Sequence, residues 1–423
     1  MKKILLLAAA TLFCSAAMAQ EPEMSPTEQN TSAIVSIKDE LAKLGSIKIS
    51  GYVQGQWQWA NPAGATPSGF IRTYGDAFSA DMNNRFNIRR GRIKFTYTKG
   101  TISAVIQPDF TEKGVAMKDA YVNYTSLKKT LTIRAGLFDR PFGYEIEYSS
   151  SQRESAERSR TFLALFPGER GVGAKVQLKG SSGLLSMFTL DAGLFNGNGI
   201  AVETDSYKDF IGKLAFQKNF VSTQLNLAVS LYQGTIWGRS ATGEKFNKYS
   251  FTGGEWKKEE VANDTKFARQ YLGFSGRVIQ YWGIGTTNLV GEVIMGQQPS
   301  GKTAFANSAG ASFNGTGDIY LRQFRGGYAM LVQDLGFSKS SIMLKYDSFN
   351  PNTKISLSEL NAGKGTAADV PYTTVSVGYL YRFNESLRLM AQYDMTSAKK
   401  TDMAAINDFK IPNVLTIRAQ VKF

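Results

Sequence analysis

Arg90, Arg92 and Lys94 stand at alternate positions, and Arg134 and Lys175 fall on the polar phases of two later alternating runs. Residues two apart point to one face of a strand, so the first three predict a cationic row. Guanidinium groups stay charged at any physiological pH and offer forked donors to phosphate or carboxylate. A wall of such groups concentrates anions and repels small cations. A second basic group lies in the polar stretch 139–168, where Arg140, Arg153, Arg158 and Arg160 sit among Glu145, Glu147, Glu154 and Glu157 and the aromatics Phe142, Tyr144 and Tyr148. Other chemistry is closed off by what is missing. The chain has no His, and its one Cys is Cys14. Without imidazole or a retained thiol there is no Ser-His or Cys-His catalysis and no zinc site of the usual nitrogen and sulfur type. The expectation is a protein that is not an enzyme, with no cofactor and no metal.

Gly296-Gln297-Gln298-Pro299-Ser300-Gly301-Lys302-Thr303 matches the phosphate-cradling loop pattern. That motif works only where Lys-Thr opens a helix, and the Gly, Ser, Asn and Ala residues of 304–317 carry no helical apolar stripe. The excess of 49 Lys and Arg over 35 Asp and Glu invites a nucleic-acid reading. The cations are spread across many segments rather than gathered in one recognition element, so no nucleic acid is expected.

The elements that carry these residues begin with an export signal. Lys2 and Lys3 precede the apolar run Ile4 to Phe13, and Ala17-Met18-Ala19 supplies small residues for cleavage, so 1–19 reads as a signal peptide that takes Cys14 with it. The run is too short for a membrane helix. Residues 20–45 form a polar linker and a short amphipathic helix, with Ile34, Ile37, Leu41 and Leu44 on one stripe and Gly45 ending it. A helix of this length is marginal alone and needs a partner surface, from another subunit or from the protein's own body.

From residue 46 to 423 the hydrophobic period is two. Leu131, Ile133, Ala135 and Leu137 alternate with Thr132, Arg134 and Gly136; Val172, Ala174, Val176 and Leu178 alternate with Gly173, Lys175 and Gln177. Such runs, with no second long apolar stretch, predict an all-β protein: an exported antiparallel up-and-down barrel crossing the outer membrane. Short turns at 98–101, 127–130, 180–183, 218–221, 280–283, 335–339 and 383–386 alternate with longer polar connections near 60–85, 110–116, 139–168, 196–208, 234–267, 297–318, 349–370 and 396–411. Together these predict about sixteen strands. The last run, Leu415 to Phe423, ends on an aromatic residue. That ending is typical of outer-membrane barrels, whose assembly machinery reads it, so Phe423 is the expected contact with that machinery.

A barrel of this size leaves a water-filled lumen lined by the polar phase. Arg90, Arg92, Lys94, Arg134 and Lys175 are therefore the expected anion path, with some of the cations paired to Asp109, Asp119, Glu292 or Asp347. The stretch 139–168 is long for a compact plan and is the expected inward constriction, carrying Arg153, Arg158, Arg160 and Tyr148. The apolar phase would meet outer-membrane lipid.

Several segments also resemble a known family. They include Phe86-Asn87-Ile88-Arg89-Arg90-Gly91-Arg92-Ile93, Lys118-Asp119-Ala120-Tyr121, Ala135-Gly136-Leu137-Phe138-Asp139-Arg140-Pro141-Phe142-Gly143, Phe166-Pro167-Gly168-Glu169-Arg170-Gly171 and Gly193-Leu194-Phe195-Asn196-Gly197-Asn198-Gly199. In order and spacing these are similar to the phosphate-selective porin O and P family. The resemblance implies a homotrimeric sixteen-stranded porin of the Gram-negative outer membrane that passes small anionic solutes, phosphate among the candidates, with Arg90 and Arg92 in a lumen ladder and Arg158 in the constriction loop. The alternative is an outer-membrane receptor or adhesin that uses the long connections 234–267 and 297–318.

Overall fold

A computed structural model describes residues 31, 34, 35, 38, 45–62, 78–79, 81–240, 245–303, 305, 315–398 and 411–423. The predicted signal peptide and almost all of the predicted helix at 34–44 lie outside the described residues. The chain divides into Met1–Lys48 and a β unit, Ile49–Phe423.

The strands are β1 (Ile47–Asn61), β2 (Asn84–Lys99), β3 (Ile102–Thr111), β4 (Gly114–Thr125), β5 (Leu131–Asp139), β6 (Arg170–Lys179), β7 (Phe188–Asn196), β8 (Lys208–Asn219), β9 (Thr223–Trp237), β10 (Lys245–Thr252), β11 (Glu255–Ala262), β12 (Lys266–Trp282), β13 (Gly285–Ser300), β14 (Ile319–Leu335), β15 (Ser340–Asn350), β16 (Tyr372–Arg382), β17 (Leu387–Ala398) and β18 (Asn413–Lys422). Sixteen of them close an antiparallel barrel. β9 pairs with β12, and β1 pairs with both β2 and β18, so the ring has no free edge. Closure satisfies every ladder at membrane depth, where no water could do so. At the seam, Gly51 and Phe423 exchange both backbone hydrogen bonds, at 2.8 and 3.0 Å. A side chain at Gly51 would run into the Arg92 carbonyl and the Phe423 ring, so only glycine fits there.

Alternation sorts the side chains opposite to a water-soluble protein. Ile133, Val176, Leu178, Leu227 and Val229 are exposed, whereas Gln54, Gln58, Arg90, Arg92 and Arg418 are buried. Apolar surface on this scale is incompatible with water and fits acyl chains. The buried polar phase faces the barrel interior.

Three connections differ from the pattern in the sequence. The connection near 110–116 is a two-residue turn, with Thr111 paired to Gly114; its Glu and Lys give it the polarity of a loop without the length. The turn after β6 is lengthened by a 3-10 segment, Gly183–Met187. The stretch 234–267 holds the β10–β11 hairpin, which stands outside the ring and runs parallel to the start of β14. Gly253 and Gly254, at φ +66 and +78°, form its turn, the positive-φ pair that a tight hairpin demands.

Candidate functional site

The connection from Arg140 to Glu169 is bound to the polar, buried phase of strands around the ring. One of its flanks is aromatic. Phe142, Phe162 and Phe166, the last two on and just after the short helix α1 (Arg160–Leu165), pack against Tyr232 of β9, Tyr271 of β12 and Tyr328 of β14, with ring centroids 5.9 to 6.5 Å apart. Beside this cluster the Glu292 carboxylate of β13 accepts the Tyr144 and Glu145 amides at 2.5 and 2.7 Å and the Tyr328 hydroxyl at 3.1 Å. Gly143, at φ +64°, turns the chain so that these successive amides converge on one anion.

The other flank is ionic. Glu157 receives Arg89 in a two-pronged contact at 2.6 and 2.7 Å, Arg418 at 2.9 Å and Arg90 at 3.5 Å. Burial alone would raise its carboxyl, but Arg89, Arg90 and Arg418 hold it well below the usual carboxylate range. Arg158 pairs with Glu169 and also donates to the Glu145 carbonyl at 2.8 Å. Burial would likewise raise Glu169, and Arg158, Lys118 and Arg170 hold it well below its ordinary value. Glu145 is ligated by Lys345 at 2.9 Å and by the Ser159 amide and hydroxyl, and its carboxyl is lowered against its burial. Glu147 bridges Lys213 and Lys175.

The residues singled out in the sequence divide by partner. Arg90 donates to Gln54 at 2.9 Å besides meeting Glu157, and Arg92 pairs with Asp109 at 2.9 Å and reaches the Ser150 hydroxyl at 3.1 Å. Lys175 is neutralised by Asp191 at 2.8 Å. Arg134 is held by Asn123 at 2.8 Å and lies over the Tyr121 ring; none of its hydrogen bonds reaches the loop. Arg160 donates to Thr374 at 3.0 Å, and its amide to Asp347 at 2.5 Å. Tyr148 stacks on Tyr144 and donates to Glu154 at 2.9 Å. Two cations stand apart. Arg153 is 2% exposed, yet none of its three guanidinium nitrogens has a hydrogen-bond partner among the described residues. Burial, with Arg158 adding repulsion, lowers it to about 10 against the pull of Glu145, Glu157 and Glu169. Lys94 is half-buried, likewise unpartnered among the described residues, and lines a cavity of about 330 Å³ with Arg92, Arg158, Arg170 and Asp119.

Arg89 was not expected at the site. Along β2 the exposed phase switches from Phe86 and Ile88 to Phe95 and Tyr97, so the consecutive Arg89 and Arg90 both reach Glu157. Of the carboxylates expected to neutralise wall cations, Asp109 and Asp119 do so, with Arg92 and Arg170. Glu292 instead binds loop amides. Among the described residues no cluster of metal-ligating side chains occurs.

Residues 65–232 match the family described as phosphate-selective porin O and P. The match covers about two fifths of the chain, and over those residues the chain is similar to that family. No curated protein sequence matches the porin. Its fold is similar to the outer-membrane channel DcaP of Acinetobacter baumannii, at 12% identity and TM-score 0.53 over 89% of this chain and 97% of that one. OprB of Pseudomonas putida aligns at 8% identity and TM-score 0.56 over 92% and 96%. The trimer form of the outer-membrane protein OmpT of Vibrio cholerae aligns at 11% identity and TM-score 0.51 over 89% and 99%. Family and barrel together place the porin in the outer membrane of a Gram-negative bacterium.

Proposed function

We propose that this porin is a passive, anion-preferring channel for small solutes, with phosphate a candidate, and that residues 139–168 form its constriction. The observation that carries the reading is the division among its cations. Among the described residues most are neutralised by carboxylates or tied to amides and carbonyls, whereas Arg153 and Lys94 have no hydrogen-bond acceptor there. A charge already paired contributes little field beyond its partner, while a bare cation beside a low-dielectric wall favours anions. The porin acts as a homotrimer in this reading, in keeping with the trimer form of the Vibrio cholerae neighbour. Phe423, which ends the seam strand, serves barrel assembly, and residues 20–45 lie on the periplasmic side after signal removal at 1–19.

The test is a planar-bilayer reversal potential in a salt gradient. The wild type should reverse on the anion side. Lys94→Gln with Arg153→Gln should move it toward the cation side, and an unmoved potential in the folded double variant would reject the two cations as the selectivity source. Replacing chloride by phosphate then measures the finer preference, and a phosphate permeability no higher than that of size-matched anions removes phosphate as the favoured solute.

A further inference from the structure

On the outward face of β9, β12, β13 and β14, two polar rows bracket the apolar band. Gln233, Gln270, Gln297 and Gln323 are directly paired across the four strands. Farther along the same strands, Thr223, Gln280, Thr287 and Gln333 are paired in the same way. Neighbours in each row are hydrogen-bonded in places: Gln270 donates to Gln233 at 2.8 Å, Thr223 to Gln280 at 2.5 Å and Thr287 to Gln333 at 2.5 Å. From Gln270 to Gln280, at about 3.3 Å per residue and a tilt of about 40°, the vertical span is about 25 Å, the height of the apolar band of such barrels. The exposed Leu227, Val229, Phe274, Leu289, Val293 and Leu331 fill the interval. The glutamine row lies toward the long connections, so it stands at headgroup level in the outer leaflet.

One step inside that row is Arg325, exposed, cross-strand from Met295 and Asn350, and without a hydrogen-bond or ion-pair partner among the described residues. It borders a groove of about 610 Å³ on the barrel's outer face, where Gly296 contributes no side chain. The floor is Leu231, Leu272 and Met295; the rim is the glutamine row. A cation on a lipid-facing surface costs free energy unless an anion meets it, and phosphate accepts both prongs of a guanidinium. The apolar floor suits an acyl chain and the glutamine amides suit hydroxyl and amide groups.

We propose that this groove binds a phosphate-bearing lipid of the outer leaflet, its phosphate on Arg325, its polar head along Gln270, Gln297 and Gln323, and an acyl chain over Leu231, Leu272 and Met295. The inference does not depend on the channel's selectivity. The test is native mass spectrometry of the full detergent-solubilised porin titrated with lipid A, with dephosphorylated lipid A, and with lipid A plus inorganic phosphate. The wild type should hold lipid A roughly ten-fold more tightly than Arg325→Gln does, the loss of one charge-assisted contact. It should bind the dephosphorylated lipid no better than the variant binds lipid A, and inorganic phosphate should not displace the lipid. Gln270→Leu with Gln297→Leu, which keeps the charge, should lose less. Equal affinity of wild type and Arg325→Gln would overturn the proposal, as would equal binding of the dephosphorylated lipid or displacement by free phosphate. A variant that keeps lipid but loses oligomeric mass would assign the face to a second copy of the chain. Arg325→Lys, which keeps the charge, provides a folded comparison if the glutamine variant fails to assemble.

Discussion

Replacing Glu157 by Gln removes one negative charge from the point where Arg89, Arg90 and Arg418 converge, while leaving an oxygen to accept their hydrogen bonds. For an ion about 10 Å away, at an effective dielectric constant of about 40, the unscreened change is about 0.8 kcal/mol. At about 0.1 M salt, one Debye length of screening lowers that to about 0.3 kcal/mol. An anion gains this amount and a cation loses it, so the permeability ratio should shift by about 0.6 kcal/mol, roughly three-fold toward anions. The direction is the useful part, because deleting a residue of the constriction strengthens selectivity rather than weakening it. The same change leaves buried guanidinium groups uncompensated, which costs about 3–5 kcal/mol where a buried pair loses one partner. Heat-modifiable migration on gels should therefore shift to lower temperature, and single-channel traces should grow noisier as the loop loosens. Reversal potentials in a salt gradient decide the matter. A variant that folds and keeps the wild-type potential would show that the Glu157 cluster lies outside the field of the ion path, and a shift toward cations would refute the sign of the argument.

The pH response follows from the same loop. Glu145, Glu157 and Glu169 all titrate below the ordinary 4.5, so each is charged at neutral pH. A depressed carboxyl stabilises the fold above its unfolded value and gives that up only as pH falls through the lower folded value. Their contribution to loop stability should thus be constant above about pH 5 and be lost only well below pH 4.5, read as the heat-modification temperature of the wild type against Glu157→Gln. A wild-type loss that begins at pH 5 or above and is absent in Glu157→Gln would contradict the pairing. At the alkaline end, anion preference should fall as pH rises through about 10, where Arg153 loses its proton, and should do so less in Arg153→Gln. Phe166→Ala empties a site enclosed by Phe142, Tyr232 and Tyr271 and should cost about 3–5 kcal/mol, read as a lower heat-modification temperature with frequent loop flicker in bilayers; silent traces would mean that the aromatic flank does not hold the loop. Gly51→Val should impair closure at the β1–β18 seam, leaving more unfolded protein on gels, and normal migration would show that the Phe423 ring can move aside.

What the sequence disclosed depended on whether the controlling force leaves a periodic mark. Lipid on one side and water on the other impose a two-residue period on every strand, so Arg90, Arg92 and Lys94 could be assigned to one face of β2 and the number of strands could be counted. Arg89 escaped because a change of phase inside a strand alters no composition; it shows only as Phe86 and Ile88 ceding the exposed side to Phe95 and Tyr97. The β10–β11 hairpin did leave a mark, Gly253-Gly254 between alternating runs, which was hidden by the charge of Lys257, Lys258, Glu259 and Glu260. Glu292 could not be assigned from spacing. Its partners are the Tyr144 and Glu145 amides, and backbone donors have no residue type.

The same distinction governs what a count of charges can say about function. A formal charge of +14 suggests a strongly basic conduit, yet Arg92, Arg158, Arg170, Lys175, Lys213 and Lys345 each face a carboxylate, and their charge is spent inside the wall. Ion pairs also fix the loop, at β2, β8, β15 and β18, while aromatic rings hold it at β9, β12 and β14 and Glu292 clamps its first turn. A loop held on opposite walls cannot swing away, so whatever it leaves unpaired stays in place. Arg153 is such a group, a guanidinium carried on the fixed loop with no hydrogen-bond acceptor among the described residues. Selectivity in this architecture is set by the cations the framework leaves over, and variants of the paired cations add a loss of stability to their change in field. Lys175→Gln and Arg153→Gln separate the two classes: both remove one positive charge and should move the reversal potential toward cations, but only the first, which leaves Asp191 with its partner gone, should lower the heat-modification temperature. An equal loss of heat stability in both would mean that pairing with Asp191 does not hold the wall.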